Sequence, residues 1–469
     1  HNPKFKEKFP RGFFFCFSVY FTCPIFSMKT SPVKTKIKQR PVIFVLFGAT
    51  GDLAVKKIFP ALKTLHTAGV FPPDSRIIGV SRREWDDTQF LSHIGAESGD
   101  FAKLVSYSRV DIDHGTGYGG LHGGIESLKR KNPKTEVIVY LSLSPRYQTK
   151  VIEALAREKI IARGGGKLLI EKPFGTDEKS AKNLDKLISS FLNENQIYRV
   201  DHYLGKDTVM AVMNLHESTE NFSLLLSGKN ISSIRVRLFE TKGVEERGAS
   251  YDHVGAFRDV GQNHMLTMFA ALATDMPGSS WQTARADVLK RLAPPAKTCE
   301  LSRRGQYEGY RREIGVKPDS EIETAFEITT GLTSGKLAGV PLILEAGKKM
   351  PMAEVFMEIK FKKTAGLPKK MLFNVQPNRE VLIEYAGDSS RGNSESNGGD
   401  NVGRRDVFEI PGTGDAYANV IEAAISGRSD EFVGRQEIEA LWKYSDHVVA
   451  CWDKVPLQIY GENKPFLIQ

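Results

Sequence analysis

Short apolar runs alternate with longer amphipathic segments in the first half of the chain. The runs are rich in branched and aromatic side chains, which is typical of parallel strands buried on both faces. They occupy residues 41–47, 76–81, 136–143 and 167–171. Segments with helical spacing lie between them. The alternation predicts an α/β domain over residues 41–210, built on a doubly wound parallel sheet.

The rhythm changes after residue 210. Apolar and polar residues alternate with a period of two, as in strands that are buried on one face. These predicted strands occupy residues 232–239, 323–329, 355–361 and 380–385. Because few helical segments separate them, we expect an α+β domain over residues 211–469 with a large, mainly antiparallel sheet. The Ser-, Gly- and Asn-rich residues 388–403 are typical of a mobile loop.

Residues 1–40 are predicted to be an N-terminal extension. The apolar run at 13–26 follows four basic residues and resembles the start of a signal peptide, but no small-residue cleavage site comes after it. We therefore interpret Met28 as the natural start and the residues before it as disordered or not native. A targeting segment is the alternative. No later run is long enough to span a membrane.

Composition narrows the class of protein without changing the predicted fold. Hydrophobic residues make up 41% of the 469 residues and charged residues 26%, which is ordinary for a globular protein. The formal net charge of +9 is compatible with nucleic acid, membranes or small anions. Residues 29–40, which contain five basic side chains, are interpreted as a flexible arm before the first strand. No zinc-finger or RNA-binding motif accompanies them. We expect neither nucleic-acid nor membrane partners.

The cysteines bear on the cellular compartment. No Cys-x-x-Cys pair and no disulfide framework is evident from their spacing. The four positions are Cys16, Cys23, Cys299 and Cys451. A reducing compartment is the simpler interpretation, and we expect a cytoplasmic protein.

The junction after the first predicted strand has the features of a Rossmann-type dinucleotide site. A glycine permits the tight turn out of the strand, and a second glycine lets backbone N–H groups approach a pyrophosphate at the helix N-terminus. The candidate cofactor residues here are Gly48, Ala49, Thr50, Gly51, Asp52 and Leu53. A plain tight turn is the alternative, and the buried strand before it favours the dinucleotide site.

The end of the second predicted strand indicates which dinucleotide binds. An NAD site usually has an acidic residue there for the ribose 2′-OH. This strand ends in Ser81, Arg82 and Arg83, and the first acidic residue is Glu84. A guanidinium can bind a 2′-phosphate through two hydrogen bonds, so Arg82 favours NADP over NAD. Two ordinary surface arginines are the alternative.

Three later segments are dense in polar side chains. Glu171–Lys172–Pro173 follows the fourth predicted strand, at the strand end where open α/β sheets bind ligands. The segment RVDHYLGK spans residues 199–206, and RDVGQNH spans residues 258–264. Their density of charged and hydrogen-bonding groups favours a site over plain structural segments. No cluster of His, Cys and Asp has the spacing of a metal site, so we expect no metal.

These motifs together carry a resemblance to a known family. GATGDLA, EKPFG, RVDHYLGKD and RDVGQNH occur in the order and spacing seen in glucose-6-phosphate dehydrogenases. The resemblance runs from about residue 41 to the C-terminus. It implies oxidation of glucose 6-phosphate at C1, with NADP as hydride acceptor and 6-phosphogluconolactone as product. It also implies a homodimer or homotetramer that associates through the sheet of the second, substrate-binding domain.

The resemblance implies roles for matched residues. His264 resembles the general base that accepts the C1 hydroxyl proton, and Asp201 the carboxylate that orients it. Lys172 is expected between substrate and cofactor, and Tyr140 near the cofactor. The remaining residues are expected to bind the substrate: the phosphate through His202, Tyr203 and Lys206, and the sugar through Glu240, Asp259 and Lys348.

The chain departs from the family pattern in several places. The segment 214–217 lacks a common Arg-Phe-Ala-Asn motif, and Glu345 replaces a usual arginine. Glu345 and Asn374 replace two arginines that in some members help to hold a structural NADP, so we expect none here. These losses keep open a catalytically weak homologue that acts as a binding or regulatory subunit. Another Glu-Lys-Pro sugar dehydrogenase is a closer alternative.

Overall fold

The computed structural model describes residues 40–464 apart from 219, 276–279, 295–298, 365 and 387–403. The expected extension before the first strand, Met28 included, and the expected loop at 388–403 lie outside the described residues, apart from residue 40. Within the described part, no helix has both the length and the apolar content that a bilayer crossing requires.

The predicted parallel sheet is confirmed and has two further strands. Its strands, in chain order, are β1 (Val42–Phe47), β2 (Arg76–Ser81), β3 (Val105–Arg109), β4 (Glu136–Leu141), β5 (Lys167–Glu171) and β6 (Ile197–Val200). The spatial order is β3-β2-β1-β4-β5-β6, and every pair is parallel. The two strands that hydrophobic runs did not reveal, β3 and β6, are the edges of the sheet. β3 is largely polar, and β6 is buried but has only four residues, one of which is Arg199.

Helices cover both faces of this sheet. A π-helical turn (Ala54–Ile58) leads into the first of five α-helices. They are α1 (Phe59–Thr67), α2 (Asp87–His93), α3 (Tyr118–Lys131), α4 (Pro145–Arg157) and α5 (Glu178–Ser189). The carboxylates of Asp86 and Asp177 accept backbone N–H groups and cap α2 and α5. These caps satisfy donors that the helix starts would leave unpaired.

The second half forms a large mixed sheet. Its strands are β7 (Ile231–Phe239), β8 (Ser302–Tyr307), β9 (Ala325–Thr330), β10 (Leu342–Gly347), β11 (Glu354–Phe361), β12 (Lys370–Gln376), β13 (Glu380–Glu384), β14 (Arg405–Glu409) and β15 (Leu457–Tyr460). The order is β14-β13-β12-β11-β7-β10-β9-β8-β15. Among the described strands of this second sheet, only the β7–β10 and β8–β15 pairs are parallel. The expectation of a mainly antiparallel sheet is therefore confirmed.

One face of the large sheet packs against helices. On β7, Ile234, Val236 and Leu238 are buried against them, whereas Arg235 and Arg237 point to the other face. A π-helix (Phe257–Met265) runs directly into α9. The α-helices are α6 (Asp207–Ser218), α7 (Glu220–Leu225), α8 (Gly248–Tyr251), α9 (Leu266–Ala273), α10 (Trp281–Leu289), α11 (Ala416–Ser426) and α12 (Arg435–Cys451).

The two halves interlock. The expected domain boundary at residues 210 and 211 falls inside helix α6. Helix α11, although late in the chain, packs against α1 and shares a buried core with β1. The chain thus returns to the parallel-sheet domain before it adds β15, the last strand of the second sheet.

One expectation about the cysteines is wrong. Cys299 and Cys451 form a disulfide in the structure, across a sequence separation of 152 residues. Spacing motifs could not reveal this pair, because the fold brings the end of α12 to Cys299. The argument from the cysteines to a reducing compartment therefore loses its support.

A buried ion pair joins α10 to α12. The Arg285 guanidinium is fully buried and donates to both carboxylate oxygens of Glu437, at 2.8 and 3.2 Å. It also donates to the carbonyl oxygens of Asp430 and Phe432, both at 2.7 Å. Burial raises the pKa of Glu437, and Arg285 partly offsets this effect. The carboxylate thus depends on its partner to remain charged.

We expect Arg285→Met to destabilise the protein by about 3–5 kcal/mol, because it leaves a buried carboxylate without its cation. Differential scanning calorimetry should show a lowered unfolding midpoint. Adding Glu437→Gln should recover part of the loss. The control is Arg157→Met, which removes an exposed pair with Glu158 and should change the midpoint little. Equal midpoints for Arg285→Met and Arg157→Met would contradict this assignment.

Candidate active site

The expected dinucleotide turn lies at the carboxyl end of β1. Gly48 has a φ of 76°, and a Cβ there would lie 2.1 Å from the Ser142 carbonyl oxygen, so only glycine fits. The N–H groups of Gly48 and Ala49 both donate to the Val80 carbonyl, at 3.0 and 3.1 Å, which fixes the turn against β2. Gly51 N–H in turn donates to the Gly48 carbonyl at 3.0 Å.

The rest of the turn leads into the first helix. The Thr50 carbonyl lies 3.3 Å from His93 Nε2, and Leu53 packs against the core under the sheet. The Asp52 carboxylate is exposed and accepts a hydrogen bond from Lys56 at 2.7 Å. The six residues expected at the cofactor therefore form one continuous turn at the strand end.

Arg82 lies at the end of β2, as expected. Its side chain is 74% exposed, and its one ion pair among the described residues is a long contact of 3.9 Å with Asp113. The neighbouring Arg83 guanidinium instead lies over the Trp85 ring, 4.7 Å from its centre. Arg82 is thus the guanidinium that is available to an anionic ligand.

A buried histidine–carboxylate pair occupies the centre of the site. Asp201 follows β6, His264 lies in the π-helix, and both side chains are at most 3% exposed. His264 Nδ1 donates to Asp201 Oδ1. Thr267 Oγ1 donates to Asp201 Oδ2 at 3.0 Å, and Tyr203 N–H to Oδ1 at 3.0 Å. Since a carboxylate only accepts, the proton of neutral His264 is on Nδ1, and Nε2 carries the lone pair.

Burial sets the protonation of this pair. It lowers the pKa of His264 below its ordinary value, and the Asp201 carboxylate only partly opposes this effect. For Asp201, burial alone would raise the pKa, but the contact with His264 outweighs it and holds the pKa below the usual range. At neutral pH, the pair is a neutral imidazole beside a carboxylate, which is the state that a general base requires.

Two lysines meet on Asp259 in the neighbouring wall. Lys172 Nζ, just after β5, donates to the Asp259 carbonyl at 2.6 Å. Lys348 Nζ, just after β10, contacts Glu240 at 2.6 Å and the Asp259 carboxylate at 3.3 Å. Burial alone would raise the pKa of Asp259, but the two lysines outweigh it and lower the pKa. The expected sugar-binding residues Glu240, Asp259 and Lys348 are therefore brought together in one cluster of ion pairs.

The expected phosphate-binding residues surround the pair of His264 and Asp201, which we call the dyad. The Tyr203 ring stacks on His264 at 4.1 Å between centres, and His202 stacks on Tyr417 at 5.2 Å. Lys206 Nζ lies 5.7 Å from the centre of the Tyr203 ring. Burial lowers the pKa of His202 well below its ordinary value. His202 is therefore neutral, and Lys206 supplies the positive charge.

One cluster was not visible in the spacing. Asp201, His202 and His264 place potential metal-ligand atoms within 4.8 Å of one another. Spacing in the sequence could not show this cluster, because the fold joins residues that are 62 positions apart, and the expectation of no metal stays a prediction. Two of the three side chains already hydrogen-bond each other in the dyad.

A buried hydrogen bond involves the residue next to Lys172 in the chain. The Tyr140 hydroxyl donates to Glu171 Oε1 at 2.5 Å, and both side chains are buried. Burial raises the pKa of Glu171 to about 7, although the hydrogen bond from Tyr140 opposes this effect. Tyr140 is thus tied to the residue that precedes Lys172.

Sequence reasoning missed two residues near the site. A cavity of about 360 Å³ beside Tyr203 and Glu240 is also lined by Gln376, at the end of β12. The Lys57 ammonium is close enough to Lys206 to lower its pKa, after the larger effect of burial. Two signals could have found them: a polar residue before a proline at a strand end, and a Lys-Lys pair after the glycine-rich turn.

The residues that depart from the family pattern make contacts outside the candidate site. His216 Nε2 is 3.0 Å from the Leu272 carbonyl, and Glu217 accepts from Trp281 Nε1 at 2.6 Å. Glu345 points to the outer face of β10 and pairs with Arg235 and Arg237. None of these partners is one of the expected site residues.

A Rossmann-type domain whose strand ends meet a buried histidine–carboxylate pair defines an NAD(P)-dependent oxidoreductase. The comparisons with known proteins give the family. Residues 45–211 match the model described as "Glucose-6-phosphate dehydrogenase, NAD binding domain". Residues 213–465 match "Glucose-6-phosphate dehydrogenase, C-terminal domain". The chain belongs to the glucose-6-phosphate dehydrogenase family.

Individual relatives agree with this assignment. The glucose-6-phosphate 1-dehydrogenase of Helicobacter pylori (strain ATCC 700392 / 26695) is 32% identical, covering 89% of this chain and 96% of the relative. That of Cyberlindnera jadinii is 30% identical, covering 86% and 87%. A solved glucose-6-phosphate dehydrogenase in complex with its substrate glucose-6-phosphate has a TM-score of 0.81 at 25% identity, covering 91% and 96%.

We expect the acid limb of the kcat–pH profile to lie below pH 6.5. Burial lowers the pKa of His264, and a base acts only while it is neutral, so activity should fall as the pH drops through that pKa. The measurement is kcat at saturating substrates from pH 5 to 9. Glu171→Gln is the control, because that carboxyl titrates at about 7. A limb that disappears in this variant would assign the titration to Glu171 instead.

Proposed function

We propose that this chain oxidises glucose 6-phosphate at C1 to 6-phosphogluconolactone and transfers the hydride to NADP. This is the first step of the oxidative pentose phosphate pathway. The observation that carries the proposal is the His264–Asp201 dyad, which lies beside the lysine–carboxylate cluster at Asp259 in a member of this family.

The dyad carries the proton transfer. His264 Nε2 accepts the proton of the C1 hydroxyl as the hydride leaves C1. Asp201 holds the Nδ1 proton, which keeps the ring in the required tautomer and stabilises the imidazolium that forms. Thr267 keeps the second carboxylate oxygen in place at 3.0 Å. The product is a lactone, and the proton rests on His264 until solvent removes it.

The surrounding residues position the sugar phosphate. His202, Tyr203 and Lys206 would donate to the phosphate, and the ammonium of Lys206 supplies the opposite charge. Glu240 and Asp259 would accept the sugar hydroxyls, and Lys348 contacts both side chains, at 2.6 and 3.3 Å. Lys172 lies between the sugar side and the cofactor side. These placements hold C1 against His264 Nε2.

The residues at the end of β1 fit a dinucleotide. A Cβ at Gly48 would collide with the Ser142 carbonyl, so the turn can stay close to the sheet and leave its outer side to the pyrophosphate. Residues Gly48 to Leu53 would hold the pyrophosphate, Arg82 the 2′-phosphate and Lys172 the nicotinamide end. Tyr140, which is fully buried and donates to Glu171, would support this end without direct contact. When bound, NADP supplies the hydride acceptor.

The homodimer or homotetramer is part of this proposal, with the outer face of the large sheet as the contact surface. Arg235 and Arg237 on β7 and Glu345 on β10 form a charged, internally paired patch there. Such a patch suits a polar interface between copies.

A cytoplasmic location also stays a prediction.

The assay that tests the function follows absorbance at 340 nm with purified protein. We expect reduction of NADP with glucose 6-phosphate and much slower reduction with free glucose. His264→Asn should lose about two to four decades of kcat, the scale for removing a general base, and should retain NADP binding. If folded wild-type protein showed no turnover, the binding-subunit alternative would replace this proposal.

Cofactor choice gives a second prediction. Arg82→Ala should raise the KM for NADP by about one to two decades and leave the KM for NAD nearly unchanged, because only NADP carries the 2′-phosphate. Arg83→Ala is the matched control, since that guanidinium lies over Trp85. An equal effect of Arg82→Ala on both cofactors would remove Arg82 from the 2′-phosphate site.

A further inference from the structure

A second, smaller cavity adjoins the substrate side of the site. It has a volume of about 130 Å³ and shares Gln376 and Pro377 with the larger cavity beside Tyr203 and Glu240. Two cationic side chains contribute to its wall, Lys206 and Arg379. The position of Lys206 makes this the cavity where a phosphate would lie, with the sugar in the larger cavity.

Arg379 is held at the edge of this cavity by one end of its guanidinium. Nη1 donates to Asp207 Oδ2 at 2.8 Å and to the Gly412 carbonyl at 3.3 Å. Both hydrogen bonds that it makes with described residues use this one nitrogen. The side chain remains 42% exposed. The planar group is therefore anchored, with Nη2 and Nε left for a ligand.

The neighbouring Asp207 carboxylate has three hydrogen-bonding partners besides its own helix. Asp207 is 6% exposed and also accepts from Asn419 Nδ2 at 2.8 Å and from the Gly414 N–H at 2.9 Å. Neutral donors as well as Arg379 thus hold the Asp207 carboxylate, which also lines the cavity. Lys206 makes no ion pair within 4.0 Å among the described residues, and Lys57 adds a further positive charge nearby.

We propose that Arg379 is a further substrate-binding residue, which donates to the phosphate of glucose 6-phosphate together with Lys206. The inference rests on the proposed function and adds a specificity residue to it. A guanidinium anchored by one nitrogen still presents a planar pair of donors, the geometry that matches two phosphate oxygens. A lysine at this position could form only a point contact.

A purely structural role is the competing interpretation. Arg379 could serve only to tie the loop at Gly412 to the start of α6 through Asp207. A tether of this kind would affect every substrate and both cofactors in the same way. A phosphate ligand would affect only phosphorylated substrates and free anions, so the two roles differ in what they change.

The experiment compares Arg379→Gln, Arg379→Lys and wild type with glucose 6-phosphate and with free glucose. We expect Arg379→Gln to raise the KM for glucose 6-phosphate about tenfold, with kcat, the KM for NADP and the turnover of free glucose within about twofold of wild type. Arg379→Lys should recover part of the loss. Arg404→Gln, which removes a comparable pair with Asp406, is the matched control and should change nothing.

Inorganic phosphate provides a readout that does not need turnover. In wild type it should raise the thermal midpoint and compete with glucose 6-phosphate, and both effects should weaken in Arg379→Gln. If the wild type showed no turnover but its stabilisation by phosphate depended on Arg379, the proposed reaction would be contradicted and the anion site supported. An unchanged KM and unchanged phosphate stabilisation in Arg379→Gln would overturn the assignment. So would an equal loss with free glucose, which indicates a tether.

Discussion

The buried contact between His264 and Asp201 is the constraint on which the site depends. Asp201 extends from the parallel sheet and His264 from a π-helix of the second half, so the contact exists only when the two halves are packed together. Burial makes the imidazole a neutral base, and the carboxylate fixes its tautomer. Folding and catalytic competence are thus coupled, because an unpaired Asp201 in this position would be costly.

The same coupling repeats in the sugar-binding wall. Lys172 belongs to the end of β5, whereas Lys348 belongs to the end of β10, and both contact Asp259 in the π-helix. Hydrogen bonds in a π-helix run from residue i to i+5, so its wider turn sets the spacing between Asp259 and His264. One short helix thereby presents the base to one side and a carboxylate to two lysines that are distant in sequence.

Sequence patterns predicted the central strands of the parallel sheet, but in the large sheet they missed interior strands as well as edge strands. The runs at 76–81 and 167–171 match β2 and β5, because strands covered on both faces must be apolar throughout. In the parallel sheet, the edge strands β3 and β6 were missed, since β3 is largely polar and β6 is short and contains Arg199. In the large sheet, β8, β10, β12, β14 and β15 were missed. Motifs named the dyad, but only the fold could reveal contacts such as the disulfide and the cavity at Arg379, which join segments far apart in the chain.

In the large sheet, residues that differ from the family pattern and residues of the site lie in different places. Alternate residues of a strand point to opposite faces, so Leu344 and Ala346 of β10 pack inward while Glu345 points outward to Arg235 and Arg237. Lys348 follows only after the strand has ended, at the site. A charge reversal such as Glu345 can therefore be absorbed by partners on the outer face without moving Lys348. The unusual residues of this chain and its retained catalytic residues are compatible for that geometric reason.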